Sequence, residues 1–252
     1  MLSWTVLGGS PAWPNPSQAA SGYLLESPEV HMLIDCGSGI AQELRALDPR
    51  PLTHILITHW HADHWFDLVP LHYALRYGSW KDRPRPTLYV PPGGRAVLDT
   101  VASVWDGSVE TFEVAFDLRE FDPLDDLRVG DLHMTFAPCL HYTTCYSVKA
   151  AGPEGVIVYS ADTAPTERLA RFAHGADLFV CEAALGDASN DSTERGHMDA
   201  AEAGREAARA GARRLLLTHI PHEIGYDFVL DRAGAQYSGP IDIAKPGLRI
   251  DV

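Results

Sequence analysis

The stretch His59-Trp60-His61-Ala62-Asp63-His64 constrains this chain more than any other feature. It places four side chains that can bind metal within six residues, directly after an apolar, strand-like segment. His59 and His61 lie two apart on an extended loop, so their side chains point the same way and can share one ion. Asp63 and His64 stand where a helix would begin, and they can share a second ion. Because imidazole and carboxylate groups commonly bind zinc together, the spacing predicts a two-metal site.

Three later segments each place a candidate ligand just after an apolar, strand-like run, and these ligands are His141, Asp162 and His219. Sheet edges hold such residues to small tolerances, which a metal site requires. One such residue by itself is more often a cap or turn residue. With the first cluster, however, they complete a set of seven. The seven span positions 59 to 219 and must converge, so we expect a single domain over 1–252.

Hydrophobic periodicity predicts strands and helices that alternate in both halves of the chain. Strands are predicted near 2–7, 22–26, 30–35, 54–57, 87–90, 110–116, 132–138, 156–161, 177–181 and 214–218. Helices are predicted over 38–47, over much of 63–77 with a break near Pro70, after Gly93-Gly94, from 165 and from 199. A hairpin is expected around 152–155, and Asp199 and Glu202 are spaced as a capping box. Such alternation suits two packed sheets with helices outside, but by itself it predicts only a mixed α/β (α+β) fold.

Composition limits the partners of the chain. No apolar run approaches the roughly twenty residues of a membrane span, and the first residues lack a signal peptide's basic and apolar regions. The four cysteines form no Cys-x-x-Cys pair, which favours reduced thiols, and we expect a cytoplasmic protein without a membrane partner. A formal net charge of −14 argues against an extended nucleic acid as partner. A homodimer stays open.

In these seven residues and their order the chain resembles the metallo-β-lactamase fold superfamily. The resemblance covers nearly the whole chain, from Val6-Leu7-Gly8-Gly9-Ser10 through Leu33-Ile34-Asp35-Cys36-Gly37-Ser38-Gly39 to Leu217-Thr218-His219-Ile220. Within the superfamily it is most similar to the ribonuclease Z branch. Cys181-Glu182-Ala183-Ala184 is similar to that branch's His-Glu-Ala-Thr motif, and Gly196-His197-Met198-Asp199 is similar to its His-Ser-Thr motif.

The resemblance implies the fold and the division of the ligands. It implies an αββα sandwich of two mixed β-sheets flanked by helices. One metal ion would be held by His59, His61 and His141, the other by Asp63, His64 and His219, with Asp162 bridging both. Two departures stand out. Ala161 replaces the family's usual glycine and is expected to tighten the turn before Asp162. Met198-Asp199 replaces Ser-Thr and is expected to change side chains close to the substrate.

Two ions held close together predict hydrolysis. A water that bridges them loses a proton near neutral pH, and the ions clamp the oxygens of a phosphodiester. His197, just before a predicted helix start, is the candidate donor of a proton to the leaving oxygen, with Glu182 orienting and charging it. Asp63 is counted both as a ligand and as a catalytic residue. Alternatively, His197 is an ordinary helix-flanking histidine and Glu182 a buried structural carboxylate.

Several further residues near the predicted ligands have more than one possible role. Four aromatic rings could stack on a nucleobase, wall the metal pocket or form a subunit contact: Trp60, Trp65, Phe66 and Tyr142. His222 could reach a phosphate or lie on the surface. Asp35 fits a partner that fixes the tautomer of a ligand histidine.

The segment between His141 and Asp162 bears on the substrate. Ribonuclease Z enzymes carry a long arm there that grips tRNA, whereas only residues 142–161 fill it in this chain. Armless bacterial relatives include cyclic-nucleotide phosphodiesterases, so the leading hypothesis is a phosphodiesterase that acts on a small or cyclic nucleotide with two zinc ions, manganese remaining open. The alternative is a carbonyl hydrolase for a thioester, lactone or β-lactam. A tRNA 3′ endonuclease and a metal-binding scaffold without turnover are less favoured.

Overall fold

Two seven-stranded β-sheets face each other in the computed structural model, and helices cover both outer faces. The structure describes residues 1–47, 50–105, 107–188 and 193–252. This arrangement is the expected αββα sandwich of mixed sheets. Within these ranges, no helix combines the length and apolar character that crossing a bilayer requires.

The first sheet mixes antiparallel and parallel strands. Its spatial order is β14 (Arg249–Asp251), β1 (Ser3–Gly8), β2 (Gly22–Glu26), β3 (His31–Ile34), β4 (His54–Leu56), β5 (Thr87–Val90) and β6 (Asp117–Glu120). Strands β3 to β6 run parallel, so their carboxyl ends lie at one edge of the sheet. The first cluster of candidate metal ligands, His59 to His64, follows β4 at that edge.

The second sheet has the same mixed character. Its order is β13 (Ile241–Ile243), β12 (Leu215–Thr218), β11 (Leu178–Glu182), β10 (Gly155–Tyr159), β9 (Tyr146–Gly152), β8 (Leu132–Pro138) and β7 (Leu127–Val129). Strands β10 to β13 are parallel, while β7 to β10 are antiparallel. The hairpin predicted around 152–155 joins β9 to β10, and the turn contains only Pro153 and Glu154.

The helices are α1 (Ile40–Leu47), α2 (Ala62–Trp65), α3 (Leu68–Arg76), α4 (Gly94–Ser103), α5 (Glu110–Glu113), α6 (Glu167–Phe172), α7 (Ala200–Ala210) and α8 (Tyr226–Gly234), with a 3₁₀ turn at His222–Ile224. Apolar residues of α1, α3 and α4 pack on the outer face of the first sheet, and those of α6, α7 and α8 pack on the second. A third apolar cluster lies between the sheets, where the rings of Trp4, Tyr23 and Tyr159 contact one another. The burial of these three layers stabilises the four-layer arrangement.

The start of α7 forms as its sequence predicts. The Asp199 side chain accepts a hydrogen bond from the backbone N–H of Glu202, and the Glu202 carboxylate accepts one from the N–H of Asp199. This capping box satisfies two backbone donors that a helix leaves unpaired at its first turn. Gly211 ends the helix in the left-handed conformation that glycine adopts without steric cost.

One predicted element is wrong, and the break predicted near Pro70 lies three residues before it. The segment 110–116 is not a strand, since α5 occupies its first half. Phe112, Ala115 and Phe116 are buried while Val114 is 45% exposed, which is the spacing of a helical face and not of a strand. The break in 63–77 falls between α2 and α3, before Pro70, because Pro70 occupies the first turn of α3, where no backbone N–H is needed.

Candidate metal centre

Loops that follow strands of both sheets bring the seven predicted ligands together. Within two groups, the potential ligand atoms lie within 4.8 Å of one another. The first group contains His59, His61, His141 and Asp162, and the second contains Asp63, His64, Asp162 and His219. This division matches the one implied by the family resemblance. That these residues bind metal ions stays a prediction.

Asp162 is shared by both groups. Its Oδ2 lies 3.3 Å from Nε2 of His64, 3.6 Å from Nε2 of both His59 and His219, and 3.9 Å from Nε2 of His141. One carboxylate oxygen therefore lies among four imidazoles that belong to two ligand sets. A residue that bridges two ions needs this position.

Unsatisfied buried atoms at the centre fit a cation. Nε2 of His59, Nε2 of His64 and Oδ1 of Asp162 are buried without a hydrogen-bond partner. The His64 Nδ1 lies 2.7 Å from Oδ2 of Asp35, so a neutral His64 that donates there turns its Nε2 lone pair toward the carboxylates of Asp63 and Asp162, each 3.3 Å away. That contact is repulsive unless positive charge lies between the atoms. A dication would supply it.

The pKa shifts differ between the two groups. Burial lowers the pKa of His59 and His61, and that of His141 to about 4, so these imidazoles are neutral and keep lone pairs for a metal. Burial also disfavours charge on His64 and His219. The negative charge of Asp162 nevertheless raises the pKa of both above its usual value. The carboxylates of the second group therefore favour positive charge at this position, which protons on the histidines or a bound cation can supply.

Three residues of the centre hold left-handed backbone conformations without being glycine. The φ angles are 57° for Asp35, 50° for Ala161 and 59° for His219. Such conformations cost about 1–3 kcal/mol each and persist only where the surrounding structure enforces them. Ala161 stands where the related family has glycine, and it adopts the conformation that glycine favours. It precedes Asp162 and so sets the direction of the shared carboxylate.

His197 and Glu182 lie beside the two groups of candidate ligands, which are called the metal groups below. The His197 Nδ1 is 2.9 Å from Oε1 of Glu182, which is fully buried, and the His197 ring centroid is 4.8 Å from that of His141. Burial lowers the pKa of His197. The hydrogen bond and charge of Glu182 outweigh burial and raise the pKa to about 9. At neutral pH the imidazole carries a proton that it can donate.

The Met198-Asp199 departure does not change the surface that a substrate would meet. Met198 is fully buried, with its Sδ 3.7 Å from Sγ of Cys181. Asp199 is 2% exposed and caps α7. The expectation that these two residues alter side chains close to the substrate is therefore wrong, because both side chains point into the packed interior.

The structure adds residues that the sequence did not indicate. The Gly196 carbonyl accepts a hydrogen bond from Nδ1 of His141 at 2.7 Å, which leaves Nε2 of that histidine for the centre. Asn15 donates from Nδ2 to the carbonyl of Ile220 and accepts at Oδ1 from the N–H of His222, so it ties down the loop after His219. Gly196 stood inside a recognised motif. Asn15 is more than 200 positions away from its partners, and no sequence motif indicated that it contributes to the site.

The remaining candidates take different positions. Asp35 accepts hydrogen bonds from Thr58 as well as from His64, which is the arrangement expected of an orienting partner. His222 is on the surface, 3.2 Å from the Glu223 carboxylate. Among the four aromatic rings, Trp65 is buried and Trp60 is partly buried, whereas Phe66 and Tyr142 are exposed.

Comparison with known proteins identifies relatives along nearly the whole length. Residues 31–220 match the family described as the Beta-lactamase superfamily domain. The uncharacterised protein ML1173 of Mycobacterium leprae is 35% identical over 251 residues, covering 98% of this chain and 88% of that protein. The Bacillus subtilis protein described as "Probable metallo-hydrolase YhfI" is 32% identical over 244 residues, covering 96% and 97%.

Two solved structures and a ribonuclease Z are also similar to this chain over nearly its whole length. The crystal structure of YhfI, described as a metallo-beta-lactamase fold protein, covers 99% of this chain and 98% of its own, with a TM-score of 0.87 and 31% identity. A ribonuclease Z of Myxococcus xanthus is 26% identical, covering 100% of this chain and 98% of its own. A diphosphatase of the PhnP family, at 18% identity, covers 100% and 98% with a TM-score of 0.77, and this similarity shows the shared fold alone.

Proposed function

Because the chain belongs to the metallo-β-lactamase superfamily, as a metallo-hydrolase of its ribonuclease Z-like branch, we propose that it is a phosphodiesterase for small nucleotides, including cyclic nucleotides. One observation carries the proposal. The Asp162 carboxylate lies among four histidines of two ligand groups, and the His197–Glu182 pair adjoins them. A two-metal centre beside a proton donor suits a phosphodiester with a poor leaving group. We further propose that residues 1–252 act as one domain.

The residues of the centre divide the work of binding. In this proposal His59, His61 and His141 hold one divalent ion, Asp63, His64 and His219 hold the other, and Asp162 contacts both. Two ions held there, zinc or manganese, would supply a nucleophile at neutral pH and positive charge for the phosphoryl oxygens. Asp35 fixes the ring orientation of His64 through Nδ1, which directs Nε2 into the centre.

His197 would provide the proton that the leaving oxygen needs. Its Nδ1 is engaged by Glu182, so Nε2 is the nitrogen available to a substrate. The Glu182 carboxylate stabilises the charged imidazolium before the transfer, which keeps His197 protonated at neutral pH. A ribose alkoxide is a poor leaving group, and protonation by a positioned acid accelerates such a departure by about 10²–10⁴-fold.

The short connection between His141 and Asp162 favours a small substrate. It consists mainly of β9 and β10, and both strands pair within the second sheet, with β8 on one side and β11 on the other. This segment has no arm that could hold the body of a tRNA. The net charge of −14 also disfavours a long polyanion. The PhnP-family diphosphatase shares the fold, so the scaffold is compatible with phosphorus–oxygen bond hydrolysis.

A substrate panel tests the proposal. Protein reconstituted with zinc or manganese is assayed on bis-p-nitrophenyl phosphate, a 3′,5′-cyclic nucleotide, a lactone, a thioester, nitrocefin and a pre-tRNA. We expect kcat/KM to be highest for the phosphodiesters and pre-tRNA trimming to be feeble. Asp162→Ala should abolish the activity, whereas Asp117→Ala, which removes an exposed carboxylate on β6, should retain it. A clear preference for nitrocefin, the lactone or the thioester would assign the chain to carbonyl hydrolysis instead.

A further inference from the structure

The aromatic residues near the metal groups are not equivalent. Trp65 is 5% exposed, and its indole N–H donates to the carbonyl of Trp60 at 3.0 Å. The Trp60 ring lies 5.2 Å from that of Trp65 and packs against Gly94, where an added Cβ would lie 2.7 Å from the indole. Both rings belong to the apolar layer between the first sheet and its helices. Trp65 is therefore closed to a substrate, and Trp60 is only partly exposed.

Tyr142 differs from both tryptophans. It follows the predicted ligand His141 and is 66% exposed. Its ring centroid lies 5.3 Å from that of His141 and 5.8 Å from that of His197, and the rings of Tyr142 and His197 are inclined at 62° to each other. The ring therefore stands at the rim of the centre, next to the proposed proton donor, with most of its surface open to solvent.

The surrounding backbone holds this ring in place. A Cβ at Gly196 would lie 2.9 Å from both Cδ2 and Cε2 of Tyr142, so the ring packs directly on a glycine. The carbonyl of the same glycine binds His141 at 2.7 Å. The loop that carries His141 and Tyr142 is closed by a hydrogen bond from the N–H of Cys139 to the carbonyl of Cys145. Tyr142 is thus presented by the same short loop that carries the predicted ligand His141, and one edge of its ring already packs on Gly196.

We propose that Tyr142 is a specificity-determining residue that stacks on the nucleobase of the substrate. The proposal rests on the phosphodiesterase function proposed above. With the phosphodiester at the metal groups and its leaving oxygen at His197, the base extends outward past the rim where Tyr142 stands. Stacking on a tyrosine tolerates any base, since every base has a π-face. The enzyme would therefore prefer nucleotides over base-free diesters without strict selection among purines and pyrimidines.

The test compares two substrates that differ only in the base. A nucleoside 3′,5′-cyclic phosphate and ribose 3,5-cyclic phosphate are assayed with the metal-loaded wild type, Tyr142→Phe and Tyr142→Ala. The ratio of kcat/KM for the two substrates should fall by about 5- to 150-fold in Tyr142→Ala, the range for the loss of one stacked base. Tyr142→Phe keeps the ring and should keep the ratio. Tyr77→Ala removes a similarly exposed tyrosine at the end of α3 and should also keep it.

Binding of the products gives a second readout that does not depend on turnover. By calorimetry, the wild type should bind a nucleoside 5′-monophosphate more tightly than ribose 5-phosphate, and Tyr142→Ala should lose that difference with its metal content unchanged. An unchanged ratio in Tyr142→Ala, or an equal loss in Tyr142→Phe or in Tyr77→Ala, would each overturn the stacking role. If the wild type cleaves both substrates equally well, stacking fails while the phosphodiesterase function stands. If it cleaves neither, both proposals fail.

Discussion

The Nδ1 of His197 lies 2.9 Å from the Oε1 of Glu182, and the carboxylate rather than the imidazole is the anchored partner. Glu182 is fully buried, and its two oxygens also accept hydrogen bonds from the backbone N–H groups of Thr163 at 2.7 Å and Ala184 at 3.2 Å. The backbone therefore fixes Glu182, and Glu182 in turn orients the partly exposed ring of His197. A structural carboxylate and an orienting carboxylate are here the same group.

Replacement of His197 should affect substrates according to their leaving groups. His197→Ala should lower kcat by about 10²–10⁴-fold for a diester with an alkoxide leaving group, because the departing oxygen loses its proton donor. The loss should be much smaller for bis-p-nitrophenyl phosphate, since nitrophenolate departs without a proton. Glu182→Gln should show a weaker form of the same pattern. Steady-state kinetics and elemental analysis check this, and equal losses for both substrates would show that His197 binds phosphate or supports the structure.

Metal content should depend on which group a substitution touches. The protein should bind close to two divalent ions per chain, chiefly zinc. Asp162→Ala should disturb both sites, because its carboxylate contacts histidines of both groups. His141→Ala should mainly weaken one. Elemental analysis after reconstitution and dialysis measures the stoichiometry, and a wild-type value of one or zero would exclude the two-metal centre.

Asp35→Asn should weaken metal binding without disrupting the loop. Asp35 has a φ of 57°, a conformation that asparagine tolerates, so the backbone should be retained. The substitution removes the negative charge that holds Nδ1 of His64, and loss of such partners lowers metal affinity by about 10- to 100-fold. Competition titration with a zinc chelator measures the change. Asp67→Asn, at a carboxylate that accepts from the N–H of Ala41, is the matched control and should leave affinity near the wild-type value.

Asp199→Ala should reduce stability while sparing the centre. The substitution removes the cap of α7 and leaves the backbone N–H groups of Glu202 and the buried Ala188 without their acceptor. Loss of an N-cap costs about 0.5–2 kcal/mol, and we expect the upper part of this range. Thr166→Ala removes a simpler cap, from α6, and should cost less. Chemical unfolding gives the free energies. A loss of bound metal with an unchanged free energy of unfolding would mean that Asp199 acts on the metal centre and not on the stability of α7.

Local patterns were sufficient for much of the secondary structure. Alternating and continuous apolar runs predicted strands such as β2 and β5, and the Asp199–Glu202 spacing predicted the start of α7. Such features depend on neighbours within a few residues, which the sequence displays directly. The strand prediction for 110–116 failed because Phe112, Val114 and Phe116 alternate as in a strand, whereas packing against helix α4 and strand β6 leaves Val114 exposed.

The seven candidate ligands could be predicted from the sequence alone. Four of them lie within six residues, and each of the other three directly follows an apolar, strand-like run. Their grouping was implied by the family resemblance and not by spacing, since His141 and His61 are 80 positions apart and approach only when the two sheets pack. The backbone partners of the centre, Gly196 and Asn15, follow from the same packing. Tertiary structure also distinguished Tyr142, which is 66% exposed at the rim, from Trp65, which is buried, and Trp60, which is partly buried. Residue type is local information, whereas burial and mutual distance depend on chain segments far apart in the sequence, and for that reason the ligands could be read from the sequence and their surroundings could not.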